Sequence, residues 1–289
     1  MNVSEYIMDR IAQEGVEKVF MVSGGGGMFL IEALGNHPKL QHICNHHEQA
    51  VVMAAEGYQR VTQNLGVALV TTGPAATNTL TGICCAWNDS IPLLVLTGQA
   101  KTPTLIGDTG MRQRGTHEVN IIPIVKPVTK YAVCIKDVNE VRYHLEKALY
   151  LAKSGRPGPV LLDIPLDVQQ SEINPEKQKG FVAEEVEYDN KLDKVIELLK
   201  DAKRPIILAG YGLRLSKTEK LMIEIAEKYS IPVVTPKNGL DMIWETHPLL
   251  AGRIGINGQR AGNLAVQNAD FVLILGARLP LVTVGYFFL

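Results

Sequence analysis

The 289-residue sequence has no apolar run approaching the ~18 residues that a membrane-spanning helix needs, which excludes such a span. Nor is a leader expected. Its first residues, MNVSEYIMDRIAQEG, carry Glu5, Asp9, Arg10 and Glu14 with no apolar core between them, so they are not a signal peptide. Charge of one sign is missing too: 29 Lys+Arg stand against 30 Asp+Glu, a net charge of -1. Nothing in that balance points to nucleic acid or an anionic membrane surface. Cysteine is scarce. Cys44, Cys84, Cys85 and Cys134 are the only four, and their spacing suits neither a metal site nor a disulfide framework. They read as small apolar residues in a reducing compartment. No internal repeat or low-complexity segment occurs. The expectation is a soluble, cytoplasmic, two-domain protein.

What is present is an alternation of short apolar runs with helical patterns. Lys18–Val22, Gly66–Thr72, Leu93–Thr97 and Pro159–Ile164 read as strands, rich in Val, Leu and Ile without a polar face, and Leu40–Cys44 reads as a further strand. Such strands suit a parallel sheet covered on both sides, hence a doubly wound α/β fold. Helices are expected after Gly27 and from about Asn78. From Asp167 the chain turns polar, and this stretch reads as a surface linker reaching Asn190. A second α/β unit follows, with helices over Leu192–Leu199, Glu219–Lys228 and Ala261–Gln267 and strands over Pro205–Ala209, Ile231–Thr235 and Asp270–Leu275. The expected limits are residues 1–170, a linker over 171–190, and a second domain over 191–289. Val282, Val284, Tyr286, Phe287, Phe288 and Leu289 leave an apolar end, which reads as a domain cut part-way; an edge strand is the other reading.

Asn45 to Arg60 reads as a helix. On it Glu48 shares a face with Val51, Val52, Ala55 and Tyr58, whereas Glu56 falls with Gln49 and Arg60 as a solvent ion pair. A carboxylate on an apolar face must be bonded or protonated. One account is a capping box, Asn45 as N-cap and Glu48 as its partner; a first-turn carboxylate can equally face a ligand. Ser23 to Gly27 and Thr72 to Asn78 lie at strand carboxyl ends, where open α/β sheets bind ligands, as does Gln99. Thr77 or Asn78 also reads as a helix N-cap. The glycine run is no GxGxxG fingerprint, which argues against a nicotinamide dehydrogenase. His42, Cys44, His46 and His47 do not have zinc-ligand spacing. In Arg112 to Glu118, His117 is either an acid/base or substrate-binding group or an exposed loop histidine.

The segment HHEQAVVMAAEGYQRVT resembles the glutamate helix of the pyrimidine-binding domain of thiamine-diphosphate enzymes. The resemblance continues in order through GVALVTTGPAATNTLTGICCAWNDSIPLLVLTGQ, RQRGTHEVNIIPIVKPVTKYA and SGRPGPVLLDIPLDV. It then runs through KRPIILAGYG, IPVVTPKNG and HPLLAGRIGINGQRAGNLAVQNADFVLILGARL. The pattern is most similar to acetolactate synthases. It implies that residues 1–170 bind the cofactor's pyrimidine and that 191–289 are part of a Rossmann-like central domain. It implies Glu48 as the catalytic carboxylate that hydrogen-bonds N1′ of the aminopyrimidine and favours the tautomer that accepts the C2 proton. Gly25, Gly26, His47, Gly73, Pro74, Ala75, Asn78 and Gln99 would bind the cofactor, and Gly24 and His117 would lie near the substrate. Gly210, Gly212 and Arg253 match the region where acetolactate synthases hold FAD, although many relatives keep that fold without a flavin.

The family's Gly-Asp-Gly and Asn-Asn motif for Mg²⁺ is absent from this sequence. The resemblance therefore implies that Mg²⁺ and diphosphate are held by another domain, in a C-terminal continuation or a partner subunit. It further implies a homodimer or homotetramer, 2-keto acid substrates, and a transferase or lyase activity in branched-chain amino acid biosynthesis. Where those synthases tend to read Phe-Gln-Glu, this chain has Thr116-His117-Glu118. That difference keeps open another thiamine-diphosphate lyase, for instance one of sugar or polysaccharide metabolism, and a non-catalytic half-site subunit.

Overall fold

A computed structural model of the chain describes residues 1–184 and 190–285. The chain divides into two compact units, 1–185 and 186–289. The first is built on six parallel strands: β1 (Lys18–Met21), β2 (Gln41–Cys44), β3 (Gly66–Val70), β4 (Leu93–Gln99), β5 (Tyr131–Cys134) and β6 (Pro159–Pro165). Their order is β2-β1-β3-β4-β6-β5. Every residue of β3, β4 and β6 is buried, which is why these runs show no alternation. Helices α1 (Val3–Gln13), α2 (Met28–Asn36), α7 (Val141–Lys153) and α8 (Leu166–Gln170) share one core with the side chains of Val67, Leu69, Leu94, Leu96, Val160 and Leu162. The helices α3 (Glu48–Thr62) and α5 (Leu80–Asp89) bury Val51, Val52, Ala55, Ile83 and Ala86 against the sheet. A short helix α4 (Pro74–Asn78) precedes α5, and α6 (Ile122–Val125) lies between β4 and β5.

Part of the polar stretch expected to cross the surface packs, while Glu172, Asn174, Glu176, Lys177, Lys179 and Val182 to Glu184 are exposed. In α8 Gln169 is fully buried, and its Nε2 donates to the carbonyls of Gly26 and Ile164, each at 2.7 Å. Beyond α8, Arg142 donates to the Pro175 carbonyl at 2.8 Å, and the Phe181 ring lies 5.8 Å from that of Tyr143. The Gln169 side chain thus satisfies backbone carbonyls of the first unit rather than water. Residues 185–189 of the expected linker fall outside the described residues.

The second unit has four parallel strands, β7 (Pro205–Ala209), β8 (Val233–Thr235), β9 (Leu250–Arg253) and β10 (Phe271–Leu275), in the order β10-β7-β8-β9. Successive residues of β7 enter two different cores. Ile207 and Ala209 pack with Met222 and Ala226 of α11 (Glu219–Tyr229), and Ile206 and Leu208 with Ala265 and Val266 of α12 (Arg260–Asn268). Helix α9 (Leu192–Asp201) precedes β7 and the short α10 (Gly212–Leu215) follows it. Val282 and Val284 of the expected apolar tail belong to a single-turn helix, α13 (Leu281–Val284). Tyr286, Phe287, Phe288 and Leu289 lie outside the described residues.

Candidate functional site

In the first sheet the chain leaves β1 toward β2 on one side and returns as β3 on the other. Ligands lie outside strand carboxyl ends at such a switch point. The loop after β1 carries Gly24, Gly25 and Gly26, and the loop after β3 carries Thr71 and Thr72. They interlock: the Gly26 N–H donates to Thr71 Oγ1 at 2.9 Å. A side chain at Gly26 would meet Thr72 Oγ1 at 1.7 Å, so only glycine allows the approach.

Gly73 continues this loop at φ 64° and ψ −113°, a conformation suited to glycine, and caps α4. A Cβ here would lie 1.7 Å from the His117 carbonyl oxygen. His117 itself is left-handed, with φ 55°. Its loop is organised by Glu118, a buried carboxylate that accepts from the backbone N–H groups of Ile106 at 2.5 Å, Gly115 at 2.9 Å and Arg114 at 3.3 Å. The interlocked loops enclose a cavity of about 490 Å³ whose lining includes Gly25, Gly26, Gln99, Lys101, Arg114 and His117.

Glu48 lies at the same edge of the sheet. It is the first residue of α3, and the N-cap is His47, whose Nδ1 accepts from the Gln49 N–H at 3.1 Å. The expected box with Asn45 is not formed, because Asn45 prolongs β2 by donating its backbone N–H to Met21. Nor does Asn78 cap a helix. With Pro74 at its start, α4 begins earlier, and the Asn78 Nδ2 donates to Glu48 Oε2 at 2.9 Å. That is the only hydrogen bond of the Glu48 carboxylate among the described residues, and the group is partly open to solvent. Glu48, Asn78, His47, Pro74 and Ala75 are not part of the cavity lining; Pro74 and Ala75 form the first turn of α4.

Glu56 overturns its expectation. It is 9% exposed, against the solvent position foreseen. Arg60 donates to it through Nε and Nη2, and also reaches Asp89 at 2.7 Å. The apolar stripe does not decide burial here, because the Arg60 guanidinium, itself shared with Asp89, supplies the opposite charge that lets this carboxylate enter.

Gln99 is 3% exposed and its polar atoms are committed. Its Nε2 donates to Asp163 Oδ2 at 2.9 Å and to the Val119 carbonyl at 3.0 Å, and its Oε1 accepts from Ala100. The sequence reading missed Asp163, although an acid inside the apolar run VLLDIP was the signal. Asp163 is 2% exposed and also accepts from Thr97 Oγ1 at 2.6 Å. Burial pushes its carboxyl up from 3.8 to about 6, against the lowering effect of the Thr97, Gln99 and Cys134 hydrogen bonds. Cys134, beside it on β5, is itself raised by burial and by Asp163.

The sign of the resulting pH dependence is fixed. Between about 3.8 and 6 the folded carboxyl stays protonated while the unfolded one has ionised, so this group's contribution to stability falls as pH rises through that window. Asp163→Asn is expected to remove about 1–3 kcal/mol of that fall. Urea denaturation of both proteins at pH 4 and pH 7 checks it; parallel profiles would contradict the assignment.

A pyrimidine suits this edge of the sheet, since the partly exposed Glu48 keeps one carboxylate oxygen uncommitted. Magnesium does not: among the described residues no group of three or more His, Cys, Asp or Glu side chains gathers as a metal site. Gly210 and Gly212, foreseen for FAD, follow β7, and Arg253 ends β9, so all three lie at strand carboxyl ends of the second sheet. A Cβ on Gly210 would lie 2.4 Å from Ala277 Cα, and one on Gly212 2.7 Å from Gly276 Cα. Both glycines serve the approach of the β7 and β10 ends to each other, and Arg253 stands 3.6 Å from Glu245.

Residues 1–122 match the family model described as thiamine pyrophosphate enzyme, N-terminal TPP binding domain, and residues 192–287 the one described as thiamine pyrophosphate enzyme, central domain. The acetolactate synthase large subunit of Lactococcus lactis is 35% identical over 280 residues, covering 95% of this chain and 48% of the relative. A probable acetolactate synthase large subunit of Methanocaldococcus jannaschii is 36% identical over 286 residues, covering 96% of the chain and 47% of the relative. The acetolactate synthase isozyme 3 large subunit of Escherichia coli is 33% identical over 286 residues, covering 95% and 48%. The chain thus spans about half the length of the curated relatives it matches. It belongs to the thiamine pyrophosphate enzyme family and carries that family's N-terminal TPP-binding and central domains.

Proposed function

We propose that this chain supplies the pyrimidine-binding and central domains, residues 1–170 and 191–289, of an acetolactate-synthase-like carboligase. It would decarboxylate pyruvate and join the remainder to a second 2-keto acid, in the cytoplasm, toward branched-chain amino acids. The observation that carries the reading is the Glu48 carboxylate, held by Asn78 alone at the carboxyl edge of the sheet. Thiamine diphosphate, when bound, supplies the carbon nucleophile and electron sink for breaking and forming bonds next to a carbonyl. Glu48 then holds a proton at N1′ of the aminopyrimidine, and Asn78 fixes the direction of that carboxylate. Gln99, clamped by Asp163, forms a wall of the substrate cavity without spending an exposed donor. His117 faces the acceptor. Mg²⁺ and the diphosphate are held by a further domain, from a continuation of the chain or a partner subunit in a homodimer or homotetramer. No step runs through a flavin.

The test is direct. The isolated chain is expected to consume no pyruvate. Assembled with a diphosphate-binding domain, thiamine diphosphate and Mg²⁺, it is expected to produce acetolactate. Pyruvate turnover by the isolated chain would contradict the division of labour. A second reading, another thiamine-diphosphate lyase acting on a more polar acceptor, is favoured by Thr116 and His117 on the cavity wall. Pyruvate consumed only when a different acceptor is added would select it.

A further inference from the structure

The cavity at the switch point is lined by three basic side chains, Lys101, Arg114 and His117, and by no acidic one. Acidic residues do stand close behind its wall, but each is committed elsewhere. Glu118 spends its carboxylate on the backbone N–H groups of Ile106, Arg114 and Gly115. Asp163 takes its hydrogen bonds from Thr97 and Gln99. Asp167 accepts from the Thr102 N–H at 2.9 Å and from the Thr102 hydroxyl at 3.1 Å. None of the three forms an ion pair with the lining cations. Among the described residues the side chains of Lys101, Arg114 and His117 have no hydrogen-bond or ion-pair partner. The arrangement is also built rather than incidental. Glu118 fixes the loop from behind by its backbone, and His117 is held left-handed against Gly73. Strain of this kind persists where the surroundings enforce it, and it clusters at ligand sites.

We propose that Lys101, Arg114 and His117 form an anion-recognition site that selects an acceptor carrying a second anionic group, either a further carboxylate or a phosphate ester. The proposal rests on the reading that this cavity receives the acceptor. Bidentate guanidinium contact suits both anions, and a flexible ammonium adds a point charge. Thr72 and Thr116 lie on the same lining, and their hydroxyls supply neutral donors for the rest of a polar acceptor.

Calorimetric titration of the 289-residue chain, in the presence of saturating thiamine, separates the alternatives. Malonate stands for the dicarboxylate, inorganic phosphate for the ester, and acetate for a single carboxylate. Malonate or phosphate is expected to bind saturably, at least 10-fold more tightly than acetate, and the tighter of the two names the class. The double variant Lys101→Gln, Arg114→Gln is expected to weaken that binding at least 10-fold while leaving the melting temperature unchanged, since both side chains are exposed. Lys220→Gln, exposed on α11 in the other unit, is expected to leave it unchanged. Equal affinity for acetate, or an unaffected double variant, overturns the proposal. So does loss of anion binding when saturating thiamine diphosphate replaces thiamine, because the cations would then serve the cofactor's own phosphates. The parent reading fails on a different result: thiamine binding that is indifferent to Glu48→Gln.

Discussion

Replacing Glu48 by Gln is expected to slow C2 proton exchange of bound thiamine diphosphate by roughly 10²-fold or more in the assembled enzyme, the usual scale for losing one charge-assisted bond to a reacting system. The neutral amide keeps the shape of the side chain and can still meet Asn78, so the fold has little reason to change. Glu56, two turns along the same helix, is the internal control. Glu56→Gln is expected to leave exchange untouched and to lower stability by about 1–2 kcal/mol. It is buried and holds Arg60, which in turn reaches Asp89. The two substitutions thus separate cleanly, one in rate and one in stability. Hydrogen exchange at C2 followed by NMR, with urea denaturation alongside, measures both. Fast exchange retained in Glu48→Gln would mean that the carboxylate merely ties α3 to α4.

Gly73→Ala is expected to destabilise the first unit by about 2–5 kcal/mol, the sum of backbone strain and a steric clash. The backbone there has φ 64°, and the new methyl would sit 1.7 Å from a backbone oxygen, that of His117, which cannot rotate away as a side chain could. Relief requires the His117 loop to retreat, and that loop is pinned by three N–H groups on Glu118. Gly25→Ala provides the contrast. A Cβ at Gly25 meets nothing within 4 Å, so stability should hold or rise by up to ~1 kcal/mol. Urea midpoints for the two variants should differ widely; similar midpoints would show that the loop yields readily.

The central strands were legible because burial on both faces leaves only one kind of residue to read. Two of the four edge strands were not. Tyr131–Cys134 and Leu250–Arg253 lie at sheet edges with half-buried residues, and neither run stands out from a loop. The site was legible as motifs, but its connections were not. Helical periodicity placed Glu48 and Glu56 on opposite faces, yet which face is covered depends on Arg60 and Asp89, the latter from another helix. The pairing of Asn78 with Glu48 spans 30 positions, and the gathering of Lys101, Arg114 and His117 depends on a loop folded back by Glu118. Composition gave no hint of either. In the polar run after Asp167 the charged residues Glu172, Glu176, Lys177 and Lys179 do face water, but polarity did not show that Gln169 is buried among backbone carbonyls.

One seam of the first unit bears on how it is made. The Val3 N–H donates to the Ser171 carbonyl, the Ile173 N–H to the Met1 carbonyl, and the Ser4 hydroxyl to the Gln169 carbonyl across 165 positions. Helix α1 therefore docks onto residues synthesised much later. During translation its apolar face, with Ile7, Met8 and Ile11, can meet α2 early but is not fully covered until α8 has left the ribosome. Long-range closure of this kind slows folding and lengthens exposure to aggregation. The first helix made is among the last to be sealed, and chaperone demand should peak while the sheet is still growing.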